Sequence, residues 1–213
     1  MRIVIDLQGA QTESRFRGIG RYTMSLAQAI VRNKGEHEVI IVLSGLFPDT
    51  IQPIRAAFDE LLPHENILVW HAPGPVKACE PGNDLRREVA ELIREAFLSS
   101  LKPDVILVAS LFEGYVDDAV TSIGKFAQQL ISVVILFDLI PLLNPEIYLI
   151  PNPLYKANYL NKIEGLKKAD FWLTISASAA KEGHDSLGFE LDRIFNISTA
   201  CDGIFSPLEI SRE

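Results

Sequence analysis

Cysteine is scarce in this chain, with two residues, Cys79 and Cys201, among 213. They form no CxxC or Cys/His spacing, so neither a disulfide framework nor a cysteine-built zinc site is expected, and two free thiols in a reducing compartment fit better. Long apolar runs are missing too. The longest, near Val105–Phe112 and Leu130–Phe137, fall far short of the ~20 residues that span a membrane. Positive charge is in deficit: Lys+Arg 20 against Asp+Glu 28 gives a net charge of −8. Nucleic-acid binders carry basic patches, so no nucleic-acid partner is expected, although local contact with a membrane surface stays open. Met1-Arg2-Ile3-Val4-Ile5-Asp6 enters a strand at once, without a charged n-region and cleavage site, so the expectation is a cytosolic chain with no signal peptide. No G-x-x-x-x-G-K-[ST] loop and no Asp-x-Asp occur. The four histidines are scattered. Glu36-His37-Glu38 lies in a turn entering a strand, where alternate side chains diverge, and no metal is expected.

What is present is a chain built to bury a core. Hydrophobic residues make up 48% and mean hydropathy is +0.17. Periodicity predicts strands at Ile3–Leu7, Glu38–Leu43, Ile67–Trp70, Val105–Val108, Leu130–Phe137, Phe171–Thr174 and Ile194–Ile197. Between them it predicts helices opening at Gly18, over Thr50–Leu62, from Asp84 (as cap) through Leu101, weakly over Asp117–Gln129, and over Leu154–Lys168 and Ala177–Leu187. Pro141, Pro145, Pro151 and Pro153 are read as forbidding regular structure for a dozen residues. This alternation implies an α/β fold, a doubly wound, mainly parallel Rossmann-like sheet over residues 1–198. Residues 199–213 read as the start of a linker to a further domain.

In open α/β sheets, ligands sit outside the carboxyl ends of the strands. Asp138 ends the most apolar run and is followed by Leu139-Ile140-Pro141, so it stands where a substrate would be, with a turn or capping role as the alternative. Gly18-Ile19-Gly20-Arg21 opens a helix, where free N–H groups and the helix dipole attract anions. A dinucleotide fingerprint fails there. Thr23 occupies the third glycine position, ten residues separate Leu7 from Gly18, and no acidic residue ends the second strand. A phosphate cradle and a simple turn both remain open. Ser110 and Glu113 follow the fourth strand beside Gly114 and suit a polyhydroxy ligand, or an ordinary loop in which Asp117-Asp118 cap a helix. Ser176 follows the sixth strand and reads either as a ligand contact or as a helix N-cap.

Taken together, these residues resemble the family-four glycosyltransferases of the GT-B fold. The motifs are Gly18-Ile-Gly20-Arg21-Tyr22, Ser110-Leu-Phe-Glu113-Gly114 with Asp118-Ala-Val-Thr-Ser122, Asp138-Leu-Ile-Pro141 before Pro145-Glu146-Ile-Tyr148, Thr174-Ile-Ser176, and Asp202 near Phe205-Ser-Pro207. They look most like bacterial mannosyl- or rhamnosyltransferases that build O-antigen and related surface polysaccharides. The resemblance implies an N-terminal, acceptor-side domain of a retaining, metal-independent enzyme without a cofactor. Its donor is a nucleotide sugar, GDP-mannose in many of the group, and its acceptor is a glycan or lipid-linked glycan at the cytoplasmic membrane face. It further implies that Gly18, Gly20 and Arg21 meet the donor phosphates and that Asp138 lies at the reacting centre, with Ser110, Glu113 and Ser176 on the acceptor. Two departures stand out. Many relatives have histidine where Phe137 stands, and the donor-binding C-terminal domain does not follow in this sequence. Glu182 and Glu190 have a spacing known from retaining glycosyltransferases, but they straddle a helix end at Leu187-Gly188 and are read as coincidental. The alternative is a stand-alone sugar- or nucleotide-binding module without catalysis.

Overall fold

The computed structural model describes residues 1–126 and 130–200. Seven parallel strands form one sheet: β1 (Arg2–Asp6), β2 (Glu38–Ser44), β3 (Ile67–Trp70), β4 (Val105–Val108), β5 (Ser132–Leu136), β6 (Phe171–Thr174) and β7 (Ile194–Asn196), in the order β3-β2-β1-β4-β5-β6-β7. The helices are α1 (Gly18–Arg32), α2 (Pro48–Ala57), α3 (Asp84–Ser100), α4 (Ile140–Leu143), α5 (Pro145–Tyr148), α6 (Pro153–Lys167) and α7 (Ala177–Leu187). The doubly wound, Rossmann-like reading of the sequence therefore holds.

Burial on both faces explains the apolar strands. Val4, Val42, Ile106 and Val134 pack with Ala90 and Leu98 of α3 and Ile163 and Leu166 of α6. Ile5, Ile41, Leu107 and Ile135 pack on the other face with Ala27 and Val31 of α1 and Ile54 and Phe58 nearby. The strand order reverses between β1 and β4, where Asp6 is in register with Val108, and in open α/β sheets such a reversal marks the crevice outside the carboxyl ends of the strands.

Several expectations need correction. Residues 117–126 form no helix; residues 127–129 of the expected stretch lie outside the described residues. Asp117 and Asp118 staple loops instead of capping a helix. Asp117 Oδ1 accepts from the Gly114 and Ala119 amides at 3.1 and 2.8 Å, and Asp118 Oδ1 accepts from the Val76 and Lys77 amides. The proline-rich segment is not free of regular structure, because Pro141 and Pro145 sit in the first turns of α4 and α5, where a missing N–H costs nothing. Finally, α2 starts at Pro48 and ends at Ala57, earlier than expected, and Asp84 is the first residue of α3 rather than its cap, with a 2.6 Å bond from Arg87. The tail from Cys201, including Asp202 and Phe205-Ser-Pro207, lies outside the described residues.

Candidate functional site at the carboxyl edge

Asp138 is exposed two residues beyond β5. Its Oδ1 accepts from the Ile140 amide at 3.0 Å, an Asx-type turn that starts α4. Its other oxygen makes no hydrogen bond to a described residue. The turn alternative and the ligand-facing alternative are thus compatible, with one oxygen for each. Leu139 is fully buried beneath, and its amide donates to Glu182 Oε2 of α7 at 3.0 Å. Two carboxylates therefore hold two consecutive amides, and the turn carrying Asp138 is fixed from both sides.

Aromatic side chains flank this turn. Tyr115 and Tyr155 meet edge-on with centroids 5.0 Å apart, Tyr155 lies 5.9 Å from Tyr159, and Tyr159 stacks on Phe112 at 4.9 Å. Burial raises the Tyr155 and Tyr159 phenols above their ordinary range, and the nearby Asp138 charge raises both further. The Tyr115 hydroxyl donates to Asn152 Oδ1 at 3.1 Å, and the same oxygen caps α6 through the Tyr155 amide.

The first turn of α1 has the makings of an anion site. Arg17 at the N-cap is extended and offers no side-chain cap, and no acidic residue occupies the first turn. Its leading amides are therefore not neutralised by side chains. The two glycines differ. A Cβ on Gly18 would meet nothing within 4 Å, whereas one on Gly20 would fall 2.3 Å from the Ser14 carbonyl oxygen and 2.4 Å from the Arg15 Cα. Gly20 is thus needed for packing against the preceding turn, and Gly18 leaves open approach. Arg21 is exposed beside them. One turn further, the Tyr22 ring packs edge-on against Phe137 at 5.7 Å and 81°, which brings α1 against the end of β5. Phe137 supplies an apolar contact there.

Ser110 and Glu113 lie at the same edge but are buried. Ser110 Oγ donates to Glu113 Oε1 at 2.9 Å, and Thr12 Oγ1 donates to Glu113 Oε2 at 3.0 Å. Glu113 therefore clasps the loops leaving β1 and β4, and an acceptor would have to displace one of these bonds to reach it. Gly9 permits this closeness, because a Cβ there would lie 2.5 Å from Ser110 Cβ. Ser176 caps α7 by accepting from the Ala179 amide at 3.0 Å, as the capping alternative has it, and its hydroxyl hydrogen remains available.

Beneath the crevice runs a buried polar network that the sequence did not disclose. Asp6, at the end of β1, pairs with Arg94 of α3; both are 1% exposed. Arg94 Nε donates to Asp6 at 2.7 Å and Nη1 donates to the Ser122 carbonyl at 2.7 Å. Gln8 donates to Asp6 and the Val120 carbonyl and accepts from the Val120 amide. Lys162 of α6 is buried, donates to Thr121 Oγ1 at 2.6 Å, and is pushed down to about 8 by burial, against the pull of Glu91. Burial lifts Asp117 to about 6, with its two amide bonds opposing. Lys162 follows Tyr159 and precedes Ile163 and Leu166 on the buried face of α6, and that lysine in an apolar stripe was the one available signal. Among the described residues, no three His, Cys, Asp or Glu side chains converge as metal ligands, and no helix is long and apolar enough to cross a membrane.

No protein-family model matches the chain. It is 37% identical over its whole length to the serotype-specific mannosyltransferase WbdA of Escherichia coli, and 34% identical over 88% of its length to another E. coli sequence of that name. It spans 25% and 23% of these relatives, about a quarter of their length. Among solved structures, the UDP-N-acetylglucosamine 2-epimerase of Neisseria meningitidis bound to UDP-GlcNAc superposes with a TM-score of 0.56 at 12% identity, covering 92% of this chain and 46% of that one. The Methanocaldococcus jannaschii epimerase gives 0.50 at 13% identity, covering 92% and 45%. These establish the fold alone. Along its entire length, this chain is a homologue of part of a bacterial mannosyltransferase sequence, in keeping with a glycosyltransferase domain.

Proposed function

We propose that this chain is the acceptor-side domain of a retaining, metal-independent glycosyltransferase. It takes part in moving mannose from a nucleotide sugar, GDP-mannose by resemblance, to a glycan or lipid-linked glycan during surface polysaccharide synthesis. A second domain supplies the remaining donor contacts, and the reaction takes place at the cytoplasmic face of the membrane. The observation that carries this reading is the joining of two half-sites at one edge. The uncapped first turn of α1, open at Gly18, is locked through Tyr22 and Phe137 to the turn that presents Asp138.

The chemistry follows from that arrangement. A departing nucleoside diphosphate gains negative charge, and fixed amides at Gly18–Gly20, with Arg21 beside them, stabilise it without reorganising. The unengaged oxygen of Asp138 can accept the proton of an acceptor hydroxyl or orient it for attack. Phe137 provides no imidazole, so this role rests on Asp138 or on substrate phosphate. The full-length protein incubated with a panel of nucleotide sugars and a mannosylated acceptor is expected to release nucleotide with GDP-mannose. Asp138→Ala is expected to lower kcat at least ~10²-fold. Near-normal turnover by that variant removes Asp138 from catalysis, and no release with any sugar overturns the reading.

A further inference from the structure

We infer that the cleft between the β1–α1 loop and the start of α2 is a second carbohydrate subsite, one that holds an acceptor sugar remote from the reacting one. This rests on the transferase reading above and extends it to an oligosaccharide acceptor.

The cleft encloses about 430 Å³ and is lined by Ala10, Arg15, Leu46, Phe47, Asp49 and Pro53 among others. Its frame is built in advance. Gln11, fully buried beneath it, donates to the Ser44 carbonyl at 3.0 Å and to Thr50 Oγ1 at 2.9 Å, and it accepts from the Ser44 amide at 2.7 Å. One side chain thus fastens the loop after β1 to both the end of β2 and the first turn of α2.

The lining suits a neutral polyhydroxylated ring. Arg15 is steadied by a 2.7 Å bond from Nη1 to the Gln11 carbonyl, by an ion pair from Nη2 to exposed Glu13 at 3.8 Å and by its position 4.4 Å from the Phe16 ring centre. A guanidinium has five donors, so others remain for paired hydroxyl oxygens. Asp49 is exposed and makes no hydrogen bond to a described residue, which leaves its oxygens to accept from hydroxyls. Leu46, Phe47 and Pro53 supply apolar surface for the C–H faces of a sugar. A cation and an anion on one cleft disfavour a bare phosphate, which Asp49 would repel, and equally a cationic ligand.

Position sets the length. The cleft lies at the carboxyl end of β2, and Asp138 lies beyond that of β5. In the order β2-β1-β4-β5 these are three strand spacings apart, roughly 14 Å. One hexose ring does not span that gap. A sugar in the cleft is therefore joined to the reacting sugar through others.

Titration calorimetry on the full-length protein with manno-oligosaccharides of increasing length, beginning at the disaccharide, tests this. Affinity is expected to rise roughly tenfold once the chain reaches the cleft, the gain of one or two hydrogen bonds to charged groups. Arg15→Met and Asp49→Asn should each diminish that rise while leaving disaccharide affinity unchanged. Affinity independent of length, a rise that survives both substitutions, or no binding at any length overturns the subsite. Transfer with the same oligosaccharides is measured alongside. Length-dependent binding without transfer sinks the transferase reading and leaves the cleft, whereas transfer with length-independent binding does the reverse.

Discussion

Glu182 of α7 accepts the Leu139 amide proton at 3.0 Å, and Leu139 directly follows Asp138 in the chain. A helix 43 residues further along therefore sets where the exposed carboxylate points. Removing the acceptor leaves a partly buried amide unpaired and loosens the turn. In the full-length protein, Glu182→Ala is expected to lower kcat by about 10- to 100-fold, the scale of a small misplacement of a reacting group. Glu182→Gln keeps an acceptor oxygen and should recover most of it. If Gln is as poor as Ala in steady-state kinetics, Glu182 acts through its charge rather than through this bond.

The two glycines of α1 should separate stability from donor binding. Gly20→Ala drives a methyl into the Ser14 and Arg15 backbone and should destabilise the fold by about 1–3 kcal/mol in urea unfolding, as overpacking does. Gly18→Ala meets no neighbour, so it should leave stability level or raise it by up to ~1 kcal/mol. The same methyl crowds the approach of a phosphate, and nucleotide-sugar affinity should fall. Unchanged affinity would place the phosphate elsewhere.

Asp117 has a folded-state value raised to about 6 by burial, above the ordinary 3.8. Its stabilising contribution is full below the unfolded value and is lost as pH rises through about 6. Asn offers the same acceptor oxygen to the Gly114 and Ala119 amides without the charge. Asp117→Asn should therefore melt above the wild type at pH 8, with the difference vanishing by about pH 4. A difference independent of pH would mean that the carboxylate is not strained by burial.

The Asp6–Arg94 pair is fully buried, and breaking it strands a charge. Arg94→Met is expected to cost about 3–5 kcal/mol by denaturant unfolding. Pairing it with Asp6→Asn should recover part of that loss, because the residual charge is gone. Simple additivity in the double-mutant cycle would show that the two residues do not act on each other.

Much of this arrangement was readable from the chain because burial on two faces writes itself as unbroken apolar strands. Those strands placed Asp138, Ser110, Glu113 and Ser176 at one edge, and the helix-opening pattern at Ser176 foretold its cap. The buried network was not readable. Along α3, Glu91, Arg94 and Glu95 turn inward while Leu85, Val89 and Leu92 face out, the reverse of the usual amphipathic rule. Their partners are distant in sequence; Asp6 lies 88 residues from Arg94. Asp117-Asp118 suggest a helix start because a local pattern cannot show that Asp117 bonds amides within its own loop and Asp118 the Val76 and Lys77 amides of another. Glu182 and Glu190 are set aside because they straddle a helix end, yet Glu182 matters through a bond to Leu139 that no spacing displays.

The ring contact between Tyr22 and Phe137 acts as a mechanical link between the two ends of the crevice. Because Tyr22 stands one turn into α1 and Phe137 directly precedes Asp138, this one contact fixes the spacing between the open end of the helix and the exposed carboxylate. Shortening either ring to an aliphatic side chain would cut that link while leaving both half-sites in place. The spacing of the helix end from the carboxylate would then rest on the backbone alone.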